Sequence, residues 1–143
     1  ECRPATTDGV GEVTMESLLR AALRLRPDRI VLGEVRGTEA GELVQALNTG
    51  HDGSMTTIHA NSPTDALMRL ESLVVQAGTG WTERSARDHV CRSVDVVIHV
   101  SRAPDGTRSI EQVCEVANVG ATERTRPLLV AGAVVGALER VRR

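Results

Sequence analysis

Residues 23–36 read LRLRPDRIVLGEVR, and this stretch decides the fold class. Just before and into it, Met15, Leu18, Leu19, Ala22 and Leu23 recur at helical spacing, with Arg20 and Arg24 on the opposite side and Thr14 placed to cap the helix. Arg26-Pro27-Asp28 stops that helix, because a residue before proline is pushed out of the right-handed α region. Ile30-Val31-Leu32 then makes a short unbroken apolar run with two β-branched members. Such a run predicts a strand buried on both faces, the habit of parallel sheets. Gly33, Glu34, Val35 and Arg36 leave its C-terminal end. Thr38 and Glu39 open a second helix with Ala40, Leu43, Val44 and Leu47 turned inward, and Gly50 suits the C′ position after its end.

The alternation continues downstream. Residues 55–59 (MTTIH) read as another short strand. Ser62 as N-cap, Pro63 at the first helical position and Asp65 in the first turn start a helix that runs through Leu67, Leu70, Val74 and Ala77 to Gly78. A further helix is predicted over 83–92. Strands are predicted over 95–101 and 109–116, joined by the turn signal Pro104-Asp105-Gly106 as an antiparallel hairpin. Residues 1–12 read as an opening loop. Residues 118–143 carry no clear pattern: 128–138 suits either a strand or a short helix leading to Arg140, Arg142 and Arg143. Helix–strand alternation over the first 80 residues therefore predicts an α/β chain. Its sheet should be mostly parallel and flanked by helices, with an antiparallel hairpin near the C-terminus.

Length and composition narrow the function classes. A chain of 143 residues is one domain by default. Hydrophobic residues at 41% and charged residues at 25% are those of an ordinary globular protein. A net charge of -2 is too balanced for a protein held mainly by phosphate backbones. With one Trp and no Tyr or Phe, stacking platforms for single-stranded nucleic acid are out of reach, so no nucleic-acid partner is expected. All 17 basic residues are Arg. Without Lys these residues contain no G-x-x-x-x-G-K-[ST] phosphate loop and no Schiff-base lysine. Cys2, Cys91 and Cys114 are too far apart for a zinc pattern and suit a reducing compartment. The longest apolar run spans 11 residues, 128–138, against the ~20 a spanning helix needs. A soluble chain is expected, and the start at Glu1 rather than Met reads as a cut.

Two segments place polar groups where open parallel sheets bind ligands, beyond the C-terminal strand ends. In the first, Glu34 follows an apolar strand. A nucleotide-hydrolysing site uses such a carboxylate to hold Mg²⁺ through water or to orient the attacking water. Gly33 leaves room for a phosphate or metal, and Arg36 suits charge developing on a transferring phosphoryl group. The same residues also read as a solvated loop with a Glu34–Arg36 ion pair. The second segment, 49–61 (TGHDGSMTTIHAN), brings His51, Thr57 and His59, the last two spaced to face the same way. His59 suits a donor to an anion, or a satisfied histidine beside a glycine-rich loop. His51 and His59 are separated by up to roughly 26 Å when extended and lack a third ligand, which argues against zinc. His89 and His99 read as structural. G-x-S-x-G is absent, which weakens a serine-hydrolase reading.

Taken together, 23–36 and 49–62 resemble the signature and histidine box of the type II/type IV secretion ATPases. Their wording is nearest to the CpaF-like branch that drives Flp/tight-adherence pili. Similarity is strong over 9–75 and weaker to about 117. The resemblance implies that 1–143 is the C-terminal portion of a RecA-like P-loop ATPase domain, with Walker B and histidine box present and Walker A and acidic box absent. It implies ATP and Mg²⁺ as cofactors, with Glu34 as the Walker B glutamate acting on Mg²⁺ or its water and His59 as the histidine that communicates with the γ-phosphate and a neighbouring subunit. Gly33, Arg36, His51 and Thr57 would lie at the nucleotide. It further implies a hexameric ring at the cytoplasmic face of the inner membrane, pushing on platform proteins, and an isolated fragment without turnover. Gly37 stands where many relatives carry Asp. A reading of another class is a non-catalytic ATPase-like assembly module of a secretion system.

Overall fold

The computed structural model describes residues 2–7, 9, 11–118 and 120–139. Helix α1 spans Met15–Arg24 and starts as its sequence directs, with the Thr14 hydroxyl accepting from the Ser17 N–H at 3.1 Å. It ends before Pro27, where Arg26 turns to a left-handed φ of 52°. Strand β1, Val31–Leu32, is followed by α2, Glu39–Leu47, and β2, Met55–Thr56. β1 and β2 pair in parallel, Val31 with Met55 and Leu32 with Thr56. Backbone bonds extend the ladder at both ends: Met55 N–H to Ile30 O at 2.9 Å and Val35 N–H to Thr57 O at 2.9 Å. The strand expected over 55–59 is therefore shorter, since only Thr57 continues the pairing before the chain leaves the sheet. Asn48 caps α2, and Gly50 takes its φ of 104° one residue beyond the C′ position expected for it.

Helix α3, Pro63–Gln76, is capped by Ser62, whose hydroxyl accepts from Asp65 N–H at 3.1 Å. Helix α4, Glu83–Ser93, is capped in the same way by Thr82. Trp81 stacks on His89 with ring centroids 3.9 Å apart, so His89 packs as a structural residue. The four helices share one core with β1. Leu19, Ile30, Leu32, Leu43, Val44, Leu70, Val74 and Val90 all lie within it. Among the described residues no helix is long and apolar enough to cross a membrane.

Two expectations are corrected. β1 is not buried on both faces: Ile30 and Leu32 are 7% exposed, but Val31 is 71% exposed with Met55 at 64% beside it. Side chains alternate along a strand, and the helices cover only one side of the pair. Nor is the sheet mostly parallel. Strands β3 (Val96–Arg102), β4 (Arg108–Val116), β5 (Thr125–Val130) and β6 (Ala133–Val134) form a four-stranded antiparallel meander in that order. Only β1–α2–β2 supplies the long crossover a parallel pair requires; after α4 the connections are short and force antiparallel return. The β3–β4 hairpin turns at Pro104-Asp105-Gly106, as its sequence predicts. There Asp105 accepts from Thr107 N–H at 2.9 Å, which holds its carboxyl below the usual range.

Within 128–138 no helix forms: 128–130 end β5, 133–134 make β6, and 135–138 are irregular. The chain reverses at Ala131 and Gly132, both left-handed at φ 47° and 82°, which is a two-residue hairpin. Arg140, Arg142 and Arg143, which the sequence places at the end of that tail, lie outside the described residues. Ile98, Val100 and Ile110 stand exposed on one side of the meander, at 58%, 54% and 51%.

Core and bare face should respond differently to truncation. Leu43 is 1% exposed, and Leu43→Ala is expected to lower unfolding free energy by about 2–5 kcal/mol. Met55→Ala, on the uncovered side, is expected to change it by no more than about 0.5 kcal/mol. Urea unfolding followed by circular dichroism reads both. The thiols of Cys91 and Cys114 are buried, which raises their pKa, whereas Cys2 is exposed. A native-state thiol titration at neutral pH should therefore label one cysteine promptly and all three only in denaturant.

Candidate functional site

Because β1 and β2 run parallel, their C-terminal ends lie together, and the two polar segments emerge side by side. Thr57 ties them. Its carbonyl accepts from Val35 N–H at 2.9 Å, and its hydroxyl donates to Gly33 O at 2.5 Å. Glu34 sits between those two anchored residues. Its carboxylate Oε1 lies 3.4 Å from Nε2 of His59. The pair is open to solvent, with the Glu34 side chain 38% and the His59 side chain 84% exposed. No heavy atom lies within 4 Å of where a side chain on Gly33 would begin, so the space above the strand tip is clear.

Arg36 is exposed, and its guanidinium has no hydrogen-bond or ion-pair partner among the described residues. Glu34 pairs with His59 rather than with Arg36, so the solvated Glu34–Arg36 pair that the sequence also allowed does not form. The backbone around Arg36 is nonetheless held. The N–H groups of Arg36 and Gly37 both donate to Oε1 of Glu39, at 2.7 and 3.0 Å.

Glu39 went unnoticed as a site residue in the sequence, where it served only to open α2. It is 7% exposed, a buried charge at the first position of α2, whose N-cap Thr38 makes no side-chain capping bond. Its carboxylate reaches back to amides that precede the N-cap Thr38, a contact outside the capping-box positions that sequence spacing would flag.

His51 lies elsewhere. Its Nδ1 sits 3.0 Å from Ala46 O at the end of α2, and its carbonyl accepts from the Ser54 hydroxyl at 2.6 Å. That hydroxyl in turn accepts from Ile30 N–H at 2.9 Å. These bonds place His51 where the strands begin, whereas Glu34 and His59 stand where they end. Gly53 belongs to the same turn. Its φ is 77°, a left-handed backbone that favours glycine, and a Cβ there would displace the exposed Arg29 side chain. Of the six residues singled out by sequence, Gly33, Glu34, Thr57 and His59 come together, Arg36 follows on the same loop, and His51 lies apart.

Chemically, this cluster offers one carboxylate and one imidazole open to solvent, with the exposed Arg36 two residues beyond Glu34 on the same loop. Among the described residues no group of three His, Cys, Asp or Glu side chains is set to hold a metal by itself. Glu34 nevertheless fits a hard cation whose other ligands are waters and phosphate oxygens, the habit of Mg²⁺. His99 is in the second sheet, its Nδ1 buried without a hydrogen bond and 3.6 Å from a Glu111 oxygen, remote from this end of the strand pair in sequence and sheet.

Comparison with known proteins places these features in a family. A family model described as type II/IV secretion system protein matches residues 5–133. A putative conjugal transfer protein of Mycobacterium tuberculosis is 45% identical over 112 residues, covering 78% of this chain and 31% of that protein. The probable conjugal transfer protein TrbB of Sinorhizobium fredii is 44% identical, covering 74% and 32%. Among solved structures, the VirB11 ATPase from the Brucella suis type IV secretion system, in complex with sulphate, superposes with a TM-score of 0.67. It is 39% identical and aligns with 72% of this chain and 32% of its own. The chain thus spans about a third of the length of these relatives.

An exposed ion pair contributes little to folding. Glu34→Gln and His59→Ala are each expected to shift unfolding free energy by less than about 1 kcal/mol in urea denaturation. A larger loss would mark the pair as structural.

Proposed function

The chain belongs to the type II/IV secretion system protein family, and on that premise we propose that it is the Walker B and histidine-box portion of a secretion motor that hydrolyses ATP. The observation that carries this reading is the meeting of Glu34 and His59 at 3.4 Å over the C-terminal ends of a parallel strand pair. An acid and an imidazole beside open space at that end suit a nucleoside triphosphate. Bound Mg²⁺ would there neutralise phosphate oxygens. Glu34 orients water, either in the metal's shell or as the attacking nucleophile. His59 donates from Nε2 toward the terminal phosphate and couples its presence to Glu34. Arg36 brings an unpaired positive charge to oxygens that gain negative charge as the bond breaks.

On this reading the two sheets are pieces of one RecA-like core, and residues beyond these 143 supply the phosphate loop. The bare apolar surfaces around Val31 and Met55, and around Ile98, Val100 and Ile110, support it, since a complete core would cover them. A hexameric ring at the cytoplasmic face of the inner membrane, acting on platform proteins, follows as the working assembly. The conjugal transfer proteins and the VirB11 ATPase among its relatives favour type IV secretion as the machine served. A Flp pilus motor rests on the wording of two sequence stretches alone.

In a longer polypeptide that carries a phosphate loop, Glu34→Gln is expected to cut turnover at least about 100-fold while ATP still binds. Phosphate release and nucleotide filter binding measure the two. The 143 residues alone should release no phosphate. Unchanged turnover in Glu34→Gln would remove Glu34 from the chemistry and favour a non-catalytic assembly module.

A further inference from the structure

We infer that Glu39 is a positioning residue for the proposed ATPase site, holding the loop that carries Glu34 and Arg36; this rests on the reading just given. A buried carboxylate needs a reason, because burial of a charge is costly unless hydrogen bonds meet it. Here one oxygen of Glu39 accepts both the Arg36 and the Gly37 N–H, at 2.7 and 3.0 Å. The other oxygen approaches Gly37, where a Cβ would lie 3.1 Å away, so a side chain at position 37 would press on it. The carboxylate also faces the start of α2, whose backbone dipole favours negative charge there.

The consequence reaches the site through the backbone. Upstream of Glu34, Gly33 O is held by the Thr57 hydroxyl. Immediately downstream, Val35 N–H is held by Thr57 O, and the Val35 side chain is 1% exposed. The next two amides are those bound by Glu39. Residues 33–37 are thus fastened at four points, Gly33 and Val35 by Thr57 and Arg36 and Gly37 by Glu39. Neither Glu34 nor Arg36 is itself packed in place, as both side chains reach solvent. Their direction is set by the backbone, and half of that restraint is Glu39. The bonds to Arg36 and Gly37 leave the Arg36 guanidinium untouched and available.

Three variants test this in a polypeptide carrying the phosphate loop. Glu34→Gln reports on the ATPase reading and should abolish turnover. Glu39→Leu removes the acceptor and should lower kcat at least about tenfold, as a displaced catalytic group does. Its KM for ATP should move less than about threefold, because ground-state contacts are not removed. Glu39→Gln keeps an oxygen able to accept both N–H groups and should restore kcat to within about threefold of the parent. Amide exchange by nuclear magnetic resonance, run on the 143-residue chain, should show Arg36 and Gly37 exchanging faster in the leucine variant and not in the glutamine one. Should leucine unfold the chain, Glu39→Asp, one methylene too short, takes its place with the same expected kinetics. The inference is overturned if a folded Glu39→Leu turns over normally while Glu34→Gln is dead. It is equally overturned if glutamine fails to rescue. Persistent turnover in Glu34→Gln would instead sink the ATPase reading, and this role with it.

Discussion

Thr57 is the residue on which the site depends. A parallel strand pair brings two chain segments out at the same end, but with slanted bonds and little pairing beyond its two-residue strands it leaves those exits loose. Thr57 closes that gap with both of its polar ends, its carbonyl on Val35 N–H and its hydroxyl on Gly33 O. Without this double attachment, Glu34 would lie on a free loop, and its 3.4 Å approach to His59 would have no backbone reason to persist. Glu39 answers Thr57 from the other side, so the segment is gripped between a strand and a helix.

The rest of the fold serves to make that strand pair rigid from one side only. Four helices cover Ile30 and Leu32 with a shared core, and β4 contributes Val116 to it. The opposite face, with Val31 and Met55, has no cover among the described residues. Such an arrangement is stable because burial on one face is enough to anchor a short strand. The bare side is an apolar surface of the kind that marks a missing neighbour. The second sheet carries the same asymmetry, with Ile98, Val100 and Ile110 outward.

Much of this was legible in the residues. Thr14 and Ser62 mark helix starts through local chemistry, and the structure uses both as caps. Pro104-Asp105-Gly106 marks a hairpin for the same reason. Other features were legible only wrongly. Ile30-Val31-Leu32 is apolar throughout, and nothing local says which face the helices will cover. Residues 128–138 are apolar without a period, so the strand identity of 128–130 and 133–134 comes from pairing, β5 with β4 and β6 with β5. Glu39 was concealed by its neighbour Thr38, a better cap by propensity but one whose side chain makes no capping bond.

By itself the sequence indicated where most helices and turns begin, because caps, turns and short motifs act over three or four residues. It determined the family as well, since the two stretches 23–36 and 49–62 are specific in wording. Tertiary structure alone decided that His59 meets Glu34 while His51, only eight residues earlier, lies at the other end of the strands. It alone decided that β5 and β6 extend the expected hairpin into a four-stranded antiparallel sheet and that Glu39 is buried. The physical reason is common to all three: each depends on how segments far apart in the chain are brought together, and hydrogen bonds between distant backbones leave no periodic trace in a single sequence.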